Sequence, residues 1–140
     1  MNELILLDTG PLLSLLDMRD QHHDWVKSEF TAIKPPLLLC EAVLTEACFL
    51  AQRRLGRTDV IWRLLERGVI SLAFSLDENS NDVRDLMTRY SNVPMSLADA
   101  CLVRMSELFD HSKLLTFDCD FRVYRRHVRK NIPLLIPPSL

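Results

Sequence analysis

Short Leu-rich runs recur along the chain, separated by stretches with the spacing of helices. The runs ELILLD (3–8), LLLCE (37–41), VISLA (69–73), KLLT (113–116) and IPLLI (132–136) are apolar at successive positions, the pattern of strands buried on both faces. The intervening stretches predict helices near 11–17, 20–33, 42–55, 58–67, 78–90, 97–111 and 119–128. End signals accompany several of them: Pro11 at a first helical position, Thr58 and Asp77 as N-caps, Gly56 and Gly68 as terminators. Strands alternating with helices predict an α/β fold, an α/β/α sandwich with a five-stranded, mainly parallel sheet covered on both faces. No repeat, low-complexity tract or linker divides the 140 residues, so a single domain over 1–140 is expected. Trp25, Phe30, Trp62 and Phe74 are expected to pack helices onto the sheet.

Composition narrows the class. With 48% hydrophobic and 26% charged residues and only three glycines, the chain is an ordinary globular sequence and neither disordered nor collagen-like. MNELILLDTG carries acids and no basic region, so it reads as a first strand rather than a secretory signal. No apolar run approaches the roughly 20 residues of a membrane span, and a cytoplasmic protein is expected. Cys40, Cys48, Cys101 and Cys119 show no CxxC or zinc-like spacing, so reduced thiols, mostly in the core, are expected. A net charge of −2 excludes a global basic field, but RVYRRHVRK (122–130) gathers five Lys/Arg around Tyr124 and His127. Arg122, Arg125, Arg126 and Arg129 are candidates for RNA-phosphate contact, although a helix would spread them over more than one face. Arg53, Arg54 and Arg57 form a second basic set.

Several acids stand where the pattern around them is apolar. Asp8 closes LILLD and precedes Thr-Gly-Pro. Glu46 is the only charge in AVLTEACFLA (42–51), a segment apolar enough to predict a buried helix, where an unpartnered carboxylate is costly. Asp99 is the only charge between Ser96 and Arg104, and Ser96 with Asp99 also matches a capping box. Asp118 follows LLTF and, like Asp120, stands where a helix cap is wanted. Singly, each acid has a local explanation as a turn or cap residue. Jointly they fall on the carboxyl edge of the expected sheet, where ligands of open α/β folds gather. Carboxylates sharing one rim raise one another's pKa, and a hard divalent cation with oxygen ligands, Mg²⁺ or Mn²⁺, resolves that repulsion. His22 and His23 project about 100° apart on a helix and are expected at the surface. Ser14 and Ser96 lack the His-acid pattern of a serine nucleophile.

In order along residues 4 to 121, LILLDTGPLL, AVLTEACFL, MSLADACL and LLTFDCDF resemble the PIN domain family, and within it the small VapC-type toxins. The resemblance implies a PIN-like sheet and a metal-dependent ribonuclease site at its carboxyl edge. Asp8, Glu46, Asp99 and Asp118 fall on the family's catalytic acidic quartet, with Asp8, Asp99 and Asp118 as the chief ligands of Mg²⁺ or Mn²⁺. Thr116 falls on the hydroxyl that orients the site, and Asp120 on a supporting acid. The resemblance further implies an RNA substrate, products with 5′-phosphate and 3′-hydroxyl ends, a cognate antitoxin and a homodimer. The alternative is a PIN-fold RNA-binding or RNA-processing module outside any toxin–antitoxin system. Competing α/β classes fail on particular residues. An aspartyl phosphatase needs a second Asp two positions after Asp8, where Gly10 stands. A phospho-acceptor domain needs a Lys after the last strand, where Pro137 stands.

Overall fold

A computed structural model describes residues 3–140; Met1 and Asn2 of the expected domain lie outside the described residues. The strands are β1 (Leu4–Leu7), β2 (Leu37–Leu39), β3 (Ile70–Leu72) and β4 (Ser112–Leu115), then β5 (Arg125–Arg126), β6 (Lys130–Asn131) and β7 (Leu134–Leu135). Five of them form one sheet in the order β3-β2-β1-β4-β7, with every neighbouring pair parallel. Six α-helices flank it: α1 (Thr9–Leu16), α2 (His23–Ala32), α3 (Glu41–Leu55), α4 (Asp59–Glu66), α5 (Ser80–Arg89) and α6 (Leu97–Leu108). The expected five-stranded parallel sheet is therefore present.

Leucines build its centre. Leu6, Leu7, Leu39, Leu114 and Leu115 have no exposed surface, and each such side chain contributes about 1.5–3 kcal/mol on burial. Pairing of Leu4 with Ser112 through Leu7 with Leu115 sets β1 and β4 in register, so both strands end at one level. The amide of Asp8 extends the ladder by one bond to the Leu115 carbonyl, at 3.1 Å. This register brings the ends of two distant sequence segments together.

The expected helix over 119–128 does not form. Cys119–Arg122 is a single 3-10 turn, and the chain then doubles back through the antiparallel pair β5–β6. Phe121 and Tyr124, three residues apart, are both fully buried and meet edge to face at 5.4 Å. The Arg126 guanidinium then bonds the carbonyls of Ser106 and Asp110 at 3.0 and 2.9 Å. The reversal itself falls on His127 and Val128, with φ of 49° and 70°, a backbone region that β-branched residues rarely enter.

Element ends differ in smaller ways. Helix α1 starts at Thr9, so Pro11 occupies its third position rather than its first; its missing N–H still falls in the first turn, where no intrahelical partner exists. Asp77 caps nothing: α5 follows Asn79, whose side-chain amide donates to the Ser75 carbonyl at 2.8 Å. Thr58 precedes α4 without a side-chain bond to it. Gly56 and Gly68, both at φ 71°, do end their helices in the left-handed conformation. Trp25, Phe30 and Phe74 pack against the core as expected, but Trp62 lies at the surface, 48% exposed. The four cysteines are free, with Cys40 and Cys101 buried. Among the described residues no helix is long and apolar enough to cross a membrane.

Candidate active site

At the carboxyl end of β1, Asp8 caps α1 and reaches across to β4. Its Oδ1 accepts the Thr9 amide at 2.8 Å, and its Oδ2 accepts the Thr116 hydroxyl at 2.7 Å. The same fully buried hydroxyl accepts the Asp118 amide at 3.0 Å. Asp118 in turn starts the 3-10 turn, its Oδ1 accepting the Asp120 amide at 2.9 Å. At the head of α6 the capping box is complete: the Asp99 amide donates to Ser96 Oγ at 3.0 Å, and the Ser96 amide to Asp99 Oδ2 at 3.1 Å. The local reading of Asp8, Asp99 and Asp118 as caps thus holds, and it leaves room for a further role. Capping fixes each carboxylate's direction while leaving lone pairs for a further partner.

Asp8, Glu46, Asp99 and Asp118 line one cleft of about 420 Å³, together with Thr9, Gly10, Ser96 and Phe117. The acids share an electrostatic field. Burial pushes Asp8 up to about 6; hydrogen bonds from Thr116 and Thr9 oppose this, and the charges of Asp99 and Asp118 add to it. Burial also raises Asp99, against the Ser96 bonds and with help from Asp118 and Glu46. Tyr124 is raised first by its burial, then by Asp99, Asp120 and Asp118, and its hydroxyl donates to the Pro94 carbonyl.

Glu46 reaches this cleft differently from the sequence expectation. Helix α3 is not buried all round: Thr45, Glu46 and Phe49 face outward, with Phe49 59% exposed. The helix is apolar on that side because Ala42 and Phe49 border a second, shallow apolar depression shared with Leu97. Glu46 therefore stands on the open rim, where water relieves the cost that burial would impose. Asp120 does not line the cleft. Nor do Arg122, Arg125, Arg126 and Arg129. Arg125 folds onto the carbonyls of Arg122 and Val123 at 2.5 and 3.0 Å, and Arg126 is held as described above. Arg122 bonds the Leu140 carbonyl at 3.0 Å, whereas Arg129 is exposed.

Two cleft residues carried no sequence signal. Thr9 is 3% exposed, and its hydroxyl has no hydrogen-bond partner. An orphaned buried hydroxyl is costly unless water or a ligand completes it. Phe117 lies between Thr116 and Asp118 and lines the same wall.

The donor set, all oxygen, fits a hard cation. Among the described residues no three His, Cys, Asp or Glu side chains already stand close enough to form a metal cage. Mg²⁺ needs only one or two carboxylates beside its retained waters.

A family model for the PIN domain matches residues 5–126. Among solved structures, the fold is similar to the crystal structure of VapC20 from Mycobacterium tuberculosis, a toxin that cleaves the sarcin–ricin loop. The TM-score is 0.74, at 21% sequence identity over 85% of this chain and 93% of that one. No curated protein matches.

Proposed function

The chain belongs to the PIN domain family, and we propose from that membership and the cleft's chemistry that it is a divalent-metal-dependent endoribonuclease acting as the toxin of a toxin–antitoxin pair. The observation that carries the reading is the single cleft lined by Asp8, Glu46, Asp99 and Asp118, delivered by four separate segments of the chain. Asp8, Asp99 and Asp118 would hold Mg²⁺ or Mn²⁺, with Glu46 completing the set from the rim. Bound there, such a cation lowers the pKa of water and neutralises charge on a phosphodiester.

The chain's own residues set the conditions for that chemistry. Thr116 holds the Asp8 carboxylate and the Asp118 backbone in one network, which fixes two of the acids to the same strand ends. Burial keeps Asp8 short of water, which raises the free energy of its charged form and favours a cation beside it. Arg129, and Arg122 seven residues before it, would meet the RNA backbone outside the cleft, while Asp120 would support the 3-10 turn. Hydrolysis on this pattern leaves 5′-phosphate and 3′-hydroxyl ends.

The proposal extends to partners. VapC20 is itself a toxin of this fold, which favours a cognate antitoxin that covers the acidic cleft with a basic side chain. Exposed Leu76, Met87 and Leu97, which line a depression of their own, offer apolar surface for the antitoxin or for a homodimer. Incubation of the purified protein with cellular RNA tests the enzymatic core. Cleavage is expected with Mg²⁺ or Mn²⁺, and loss of cleavage is expected with EDTA or in a folded Asp8→Asn variant. Cleavage that survives either treatment would overturn it.

A further inference from the structure

Phe117 is a large apolar side chain that the fold does not use for its core. It belongs neither to the buried core nor to the partly buried apolar residues packed against it. Instead it forms part of the wall of the carboxylate cleft. Its ring takes the space a side chain at position 10 would need: a Cβ there would stand 3.0 Å from Phe117 Cδ2. On its other contact the ring meets His22 with centroids 4.7 Å apart, tilted by 44°.

Both members of this pair are held in place. The residues on either side of Phe117 are tied into the acid network, Thr116 by its bond to Asp8 and Asp118 by its bond to Thr116. The His22 amide donates to Asp20 Oδ2 at 2.8 Å, and the same oxygen receives the buried Ser14 hydroxyl at 2.7 Å. His23 Nδ1 lies 2.8 Å from the Ser14 carbonyl, pinning the segment a second time. An aromatic pair outside the core, fixed from two sides and bordering an acidic cleft, has the attributes of a binding wall rather than of packing.

The cleft's charge decides what that wall binds. The cleft's carboxylates repel a phosphodiester backbone, so beside the cation and the outlying arginines a contact to the uncharged part of the nucleotide adds affinity within the cleft. We propose that Phe117, supported by His22, stacks one unpaired nucleobase of the substrate next to the scissile phosphate. Stacking on an aromatic face tolerates any base and requires one that is not paired in a helix. This deepens the nuclease reading and rests on it. Phe117 is a substrate-binding residue here, and His22 positions it.

Single-stranded RNA oligonucleotides carrying 2-aminopurine test the proposal through quenching on binding, with cleavage of the same RNA followed in parallel. The wild type is expected to quench the probe at one nucleotide position. Phe117→Leu is expected to lose that quenching and raise KM about tenfold, the order of one lost base–aromatic stack, with a smaller change in kcat. Phe117→Trp is expected to restore both, and an abasic residue at the quenched position to cost the wild type what Phe117→Leu costs on intact RNA. Because Phe117 lies outside the core, the leucine variant is expected to keep the wild-type melting temperature, which separates lost binding from lost folding. Unchanged KM and unchanged quenching in Phe117→Leu would overturn the stacking wall and leave the nuclease standing. Quenching without cleavage would support the wall and remove the nuclease reading.

Discussion

In an Asp8→Asn variant, the carboxylate that burial disfavours gives way to an uncharged amide of nearly the same shape. The folded protein holds Asp8 at about 6 against an ordinary value of 3.8. Keeping that group charged at neutral pH therefore costs folding at most about 3 kcal/mol. Between the two values the folded state carries a proton that the unfolded chain has released, so wild-type stability falls as pH rises from about 4 to about 6. Asp99, also raised by burial, contributes in the same direction. The amide keeps an oxygen for the Thr9 N–H but loses the charge-assisted bond from the Thr116 hydroxyl. The expected net gain in the metal-free variant is thus about 1–2 kcal/mol at pH 7, shrinking to nothing or reversing near pH 4. Urea denaturation followed by circular dichroism in EDTA reads both numbers. Adding Mn²⁺ should invert the order, because a cation that binds only the native wild type stabilises it by about 2.7 kcal/mol at a hundredfold excess over Kd. A variant less stable than the wild type at pH 7 without metal, with the same deficit at pH 4, would refute the reasoning.

Thr116→Val removes the hydroxyl that serves both Asp8 and the Asp118 amide in a fully buried position. A loss of about 1–3 kcal/mol in denaturation is expected. Since that hydroxyl lowers the pKa of Asp8, the acid limb of the cleavage profile should also move to higher pH. Glu46→Gln, on the open rim, should change stability by less than about 0.5 kcal/mol yet lower cleavage and raise the Mn²⁺ concentration needed for it. Arg126→Ala should lower the unfolding free energy by about 2 kcal/mol, because the largely covered guanidinium bonds two carbonyls. Arg129→Ala should leave the melting temperature alone and reduce the salt slope of RNA binding by about one.

These contrasts mark what the sequence could and could not convey. Runs of leucine long enough to cross a sheet and too short to be helices signal buried parallel strands with little ambiguity, and Leu6, Leu39 and Leu114 lie where that logic places them. The acids were legible because each interrupts an apolar pattern or ends a strand, and a parallel sheet gathers its strand ends on one edge. Caps and cleft residues proved to be the same residues, a possibility that weighing a turn against a ligand one position at a time obscures. The segment 119–128 misled because its reversal uses His127 and Val128 at positive φ, with no Gly, Asn or Asp to announce a turn. Glu46 departs in the opposite way: an apolar helix segment predicts burial, but Phe49 stands at the surface. Phe117 and Thr9 have no sequence signal beyond their neighbours, since what distinguishes them is contact with the cleft rather than with the core.

Titration of the purified protein with Mn²⁺, followed by the loss of the free ion's paramagnetic resonance signal, tests most directly the claim that the cleft's carboxylates hold a cation. The wild type is expected to bind at least one Mn²⁺ per chain at neutral pH, to bind it progressively more weakly as pH falls below about 6, where metal-free Asp8 takes up a proton, and to yield the site to Mg²⁺. Asp8→Asn, Asp99→Asn and Asp118→Asn are each expected to weaken that binding severalfold while folding normally. Equal binding in the wild type and all three variants, or no binding by a well-folded wild type, would contradict the account.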